Sequence, residues 1–253
     1  MEVHAHSHLA SGETHTSRKK WTHYFWEFFM LFLAVTLGFL VENQREHYVE
    51  HLRARQYAQS LADDLKADTL TFNNTIENYH KYILKIDSFR NLLKGKPISA
   101  IPGGSLYYYC RTAHDILMIT FHDATLEQLK HSGNLRYFPL ALQNKISEYD
   151  SQTRILSGRQ ETEIYYIRHI QEMMAEVFDA ELIDSLRSVT DIENFKQRDM
   201  KLIKQDTLLL RKIVNEIIHW RILRQQRLKQ TVEPTHAAAV GLLSGIKKEY
   251  HLK

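Results

Sequence analysis

Histidine and carboxylate side chains at short spacing are the first residues in this chain that could do chemistry. His47-Tyr-Val-Glu50-His51 has the H-x-x-E-H form in which two histidines about one helical turn apart bind zinc and a glutamate serves as the base. His114-Asp115 and His122-Asp123 invite an acid–base reading, because a carboxylate close to an imidazole tunes it. His4-x-His6-x-His8 offers three imidazoles to a transition metal. Arg221, Arg224, Arg227 and Lys229 form a basic run, and Tyr107-Tyr108-Tyr109 stands beside a Pro/Gly-rich stretch.

Each pattern also has a plain structural explanation, and the elements around it decide between the two. The H-x-x-E-H match follows directly after a long apolar segment, on a helix with no walls for a cleft, and no third ligand is signposted; weak metal binding or a pH-responsive patch fits it better than catalysis. Neighbouring residues on a helix point about 100° apart, so the His-Asp pairs need not interact and suit caps or surface positions. The N-terminal histidines lie in a polar stretch, residues 1–20, expected to be a disordered, solvated tail. The arginine run reads as a solvated helix end that complements the helix dipole, or as a contact to anionic lipid headgroups. The three tyrosines either line a recognition pocket or form a buried aromatic layer. Cys110, the only cysteine, cannot form an intramolecular disulfide and reads as a small core residue. No nucleophile elbow, Gly-rich phosphate loop or paired-cysteine zinc motif occurs, so no catalytic residue, cofactor or metal is assigned and an enzyme is not expected.

The segment Tyr24 to Val41, YFWEFFMLFLAVTLGFLV, is an apolar run of 18 residues with one charge. As a helix it is about 27 Å long, close to the ~30 Å hydrocarbon core of a bilayer. Trp21, Tyr24 and Trp26 supply an interfacial aromatic belt, and the run passes into Glu42-Asn-Gln-Arg-Glu46 with no small-residue cleavage site, which favours an uncleaved signal anchor over residues 21–41. Arg18, Lys19 and Lys20 on one side balance Arg45, Arg53 and Arg55 on the other. The first three lie closer to the segment, and this places the N-terminus inside and the following domain outside the cytoplasm. Glu27, Ala34 and Gly38 fall near one face of the helix, and Ala34-x-x-x-Gly38 is a small-xxx-small pattern. They constitute either a face for packing against a second copy or a membrane partner, or a snorkelling carboxylate with two small residues nearby.

The rest of the chain, 42–253, reads as all-α: the N-terminal transmembrane helix continues into a stalk, 42–94, and an antiparallel helical bundle follows. Only 9 glycines and 4 prolines interrupt a chain rich in helix formers. In the stalk Phe72, Ile76, Tyr79, Ile83, Ile86 and Leu93 recur in coiled-coil-like steps of three and four, with Arg90 interrupting the seam. PISAIPGGS, 97–105, is a loop. Helices are expected over about 105–119, 126–131 and 139–177, with Leu142, Ile146, Tyr149, Ile155, Tyr166 and Ile170 as core positions and a bend at Gly158. A loop with one short helix should fill 178–198. A strong helix through Leu209, Leu210, Ile213, Val214, Ile217 and Ile218 ends or kinks at Pro234, before a short helix or tail over 236–250. Hydrophobic content of 43 % and a net charge of only +3 exclude wholesale disorder and give no case for nucleic-acid binding.

The run Trp21 to Glu46, the stretch Thr125 to Leu135 and the ending Ile246 to Leu252 together resemble a family of uncharacterised bacterial single-pass membrane proteins. The resemblance implies an inner-membrane location in an envelope with two membranes, and it carries no activity and no site residue. Function is then expected to be that of a non-catalytic membrane-anchored module for protein interaction or self-assembly, with an extracytoplasmic ligand- or metal-sensing bundle as the alternative. The expected partners are the lipid bilayer and a second copy or membrane protein.

Overall fold

The computed structural model describes residues 17–113 and 115–252, and the His4, His6 and His8 pattern and His114 lie outside the described residues. All described elements are helical and none is a strand. The chain divides into two compact units, residues 1–53 and 54–253. Helix α1, Ser17–Leu93, takes in both the apolar segment and the stalk; it starts four residues inside the stretch expected to be unstructured.

In the second unit α1 packs through a regular seam. Ala54, Ala58, Leu61, Leu65, Asp68, Phe72, Thr75, Tyr79, Ile86 and Phe89 are all buried and follow four-three spacing. Arg90 does not interrupt this seam: it is exposed, and Phe89 takes the inward position. A 3₁₀ turn at Ile98–Ala100 leads into α2, Gly103–Ala113. Then come α3, Ala124–Ser132, ended by Gly133 in the left-handed conformation, and the long α4, Leu140–Ala175. Two short helices, α5 (Ala180–Ser185) and α6 (Ile192–Lys196), precede α7, Thr207–Arg227, and α8, Glu233–Tyr250.

Three long rods make the body of this unit. Asp87 meets Arg221, Tyr79 faces Arg227 and Phe72 contacts His236, so α7 and α8 run antiparallel to α1. Phe138 against Tyr250, Lys145 on the Gly241 carbonyl and Glu163 against Arg227 give the same sense relative to α4. The α1 and α4 rods are therefore parallel, and the chain returns between them through residues 94–139.

Several expectations are corrected. Gly158 leaves α4 unbroken, and Ile155 and Tyr166 are exposed, whereas Leu156 and Ile167 take the inward positions. Residues 178–198 hold two short helices rather than one. Of the two roles expected for Pro234, an end or a kink, the end is not made, and the helix expected over 236–250 is α8. A π turn over Leu228–Val232 stands just before it, where the proline ring would otherwise strike the carbonyl four residues earlier, and α8 continues as a full core helix through Ala239, Leu242 and Ile246. The second helix stops at Ala113, and residues 115–123, assigned in part to that helix from the sequence, form no regular structure.

That irregular segment is held by side chains from the rods, which replace the bonds a helix would have made. The Asp115 carbonyl accepts from Arg224, and the Ile119 amide donates to Gln160 Oε1 at 2.7 Å while its carbonyl accepts from Gln160 Nε2 at 3.2 Å. The His122 amide donates to Asp68 at 2.9 Å. Each buried backbone group otherwise costs about 1–3 kcal/mol when left unpaired, so these side chains fix where the crossing runs.

Candidate functional site

Two apolar clusters fill the second unit, and a polar layer lies between them. Among the buried residues of α1 the first cluster ends at Tyr79 and the second begins at Ile86; on α4 the corresponding residues are Leu156 and Ile170; on the last rod the second cluster ends at Ile217 of α7 and the first resumes at Leu228, in the π turn. Arg221, Arg224 and Arg227 fall in this gap, and the structure overturns the solvated helix end expected for them. Arg224 and Arg227 are each only 3 % exposed. A stripe of charge at spacing three looks alike in sequence whether it faces water or a core; its partners on other helices make the difference.

Each arginine has its own partner. Arg221 forms a two-pronged pair with Asp87, Nε to Oδ1 at 2.8 Å and Nη2 to Oδ2 at 2.9 Å, which raises its pKa further. Arg224 donates to the Asp115 carbonyl and stacks on Tyr82 and Trp220, its Cζ 4.8 Å and 5.7 Å from the ring centroids. Burial disfavours its charged form and lowers its pKa to about 10. Tyr82 completes the clamp by donating to Asp115 Oδ2 at 3.1 Å. Arg227 meets the Glu163 carboxylate and lies over Tyr79, 5.9 Å from its centroid. The layer thus ties α7 to α1, to the crossing segment and to α4.

A second polar centre gathers around Asp68. Its carboxylate is 1 % exposed and accepts from Tyr149 Oη at 2.5 Å and from the His122 Nδ1 at 2.9 Å, besides the His122 amide. Burial and the adjoining carboxylate push the Tyr149 hydroxyl strongly up, so it stays a donor. His122 borders an open cleft of about 330 Å³, whose wall also includes Asp150, Arg154 and Ser157. These contacts fix the end of the crossing segment. The sequence left His122 as a cap or surface residue that need not meet Asp123; the structure pairs it with Asp68, 54 residues away. The signal was present, since a charged residue stands in the apolar seam between Leu65 and Phe72.

The remaining expectations sort plainly. His47 Nδ1 lies 3.8 Å from Glu50, and no group of three or more metal-ligating side chains able to hold an ion occurs among the described residues. Cys110 is fully buried, and burial pushes its thiol well above the ordinary range, as for an inert core residue. Tyr107 is buried with its hydroxyl donating to the Lys201 carbonyl at 3.1 Å, Tyr109 stacks on Phe89 at 4.9 Å, and half-buried Tyr108 borders a cleft. The aromatic layer and the pocket wall are both present, on successive residues.

In the first unit, the apolar stretch from Trp21 onward is the one part of the described chain long and apolar enough to cross a membrane, and its most apolar 18 residues have no buried share. Phe28 is 67 % and Phe39 70 % exposed. Glu27 sits 3.8 Å from His23 Nε2, Ala34 is exposed, and a Cβ added at Gly38 would meet nothing within 4 Å. The three residues of the small-residue face therefore have no cover from this chain. Comparison with protein-family models, with curated proteins and with solved structures finds no match to this chain.

Proposed function

We propose that residues 21–41 anchor this protein in a lipid bilayer as a single pass, and that the protein is a non-catalytic helical module assembling with a second copy of itself through Glu27, Ala34 and Gly38. The observation that carries this reading is an 18-residue apolar stretch in which no residue is buried, on a chain whose other unit has two buried apolar clusters. Exposed aromatic and aliphatic side chains at this density call for a cover of lipid or protein. Inside a bilayer, association rests on close backbone approach and on polar contacts, and Gly38 with Ala34 allows the first while Glu27 offers the second. Placement in a bacterial inner membrane, with the bundle in the periplasm, rests on the family resemblance and on Arg18, Lys19 and Lys20 lying close to the anchor.

A sensing role working through a membrane partner is the second reading, and the cleft beside His122 is what favours it. Crosslinking of the full chain in native membranes separates the two. Self-assembly predicts a discrete dimer or small oligomer whose yield falls at least fivefold in Gly38→Leu, with membrane content unchanged. A monomer in both proteins would contradict it.

A further inference from the structure

A different surface combines aromatic rings with an excess of cations. Between α1, α2 and α6 lies a cleft of about 400 Å³ bordered by Lys81, Tyr82 and Lys85 of α1, Tyr108 and Tyr109 of α2, and Lys196 of α6. An adjoining cleft of about 170 Å³ shares Lys85 and Tyr108 and adds Arg111 with an apolar wall that includes Val189 and Phe195. No carboxylate borders either cleft.

The cations are held by aromatic faces. Lys196 Nζ stands 4.7 Å from the Tyr108 centroid and 5.3 Å from that of Tyr109, and Lys85 Nζ lies 5.4 Å from Tyr82. Glu193 and Glu77 neutralise Lys196 and Lys81 from outside, at 2.7 Å and 2.6 Å. Lys85 and Arg111 have no carboxylate within ion-pair distance among the described residues, so the shared middle of the two clefts keeps a net positive charge. Tyrosine rings and an apolar wall give it surface for a planar group.

We infer that these joined clefts bind a small organic anion carrying a planar ring next to a carboxylate or sulfonate, the ring against Tyr108 and the apolar wall and the anionic group between Lys85 and Arg111. The inference is independent of the membrane reading. Titration calorimetry on the purified full chain, with 2-naphthoate as probe, tests it. The expected result is saturable one-to-one binding, at least tenfold weaker for the neutral naphthalene-2-carboxamide and for sulfate, and weakened at least tenfold by Lys85→Gln with Arg111→Gln at an unchanged melting temperature. No saturation at millimolar probe, equal affinity for the carboxamide or for sulfate, or unchanged binding in the double variant would each overturn it.

Discussion

Gly104→Ala lowers the stability of the bundle by about 3 kcal/mol, among the larger losses a single methyl group can cause. The cause is a backbone-to-backbone approach at the start of α2. A Cβ at Gly104 would run into the Phe195 carbonyl oxygen, and one at Gly103 into that of Met200, atoms that cannot rotate away. The Gly104 amide donates to the Arg198 carbonyl at 2.9 Å and Ser105 Oγ to the Lys196 carbonyl at 2.9 Å, so α2 cannot slide outward without losing both bonds. Thermal unfolding of the full chain in mild detergent, followed by helical circular dichroism, should show a midpoint lower by about 6–12 °C for a domain of this size. Gly158→Ala is the internal control. Its Cβ meets nothing in the middle of α4, and the same substitution should stabilise by about 1 kcal/mol through helix propensity. Equal, small effects at both positions would show that the approach of α2 to residues 195–200 is looser than described.

Glu163→Gln is the second large effect, a loss of about 3–5 kcal/mol. It leaves the Arg227 charge buried with no counter-charge, which is the costly way to break an internal ion pair. Desolvation already lowers the Arg227 pKa and Arg159 lowers it further, with Tyr79 opposing them in part, so removing the carboxylate takes away the one full counter-charge the guanidinium meets among the described residues. Replacing both members, Glu163→Leu with Arg227→Met, should recover most of the loss, because apolar groups of similar volume remove the desolvation cost together with the attraction. A Glu163→Gln protein within about 1 kcal/mol of the parent would place Arg227 in water and undo the buried arginine layer.

These two sites show where the sequence was legible. Helices α1 and α4 could be read to within a few residues, and the presence of α7 from its apolar face, because apolar spacing of three and four is set by local helix geometry and survives without tertiary information. PISAIPGGS was equally visible as a break, but Gly103 and Gly104 proved to be helical residues that admit a neighbouring backbone. Residues 115–123 were misread for a related reason: their hydrogen-bond partners, Arg224, Gln160 and Asp68, lie 41 to 109 residues away. The arginines of α7 were read as facing water or lipid headgroups, because helix-end charges carry no mark of the Asp87 and Glu163 that receive them. Glu27, Ala34 and Gly38 remain uncovered by this chain, so their role rests on spacing and on the physics of the bilayer.

The central claim is that residues 21–41 span a membrane. Alkaline carbonate extraction of membranes from cells producing the untagged full chain tests it most directly, since carbonate strips proteins held by contacts and leaves those held by a spanning helix. A spanning helix keeps the protein in the membrane pellet, from which only detergent releases it. Release of the intact chain into the carbonate supernatant would contradict it.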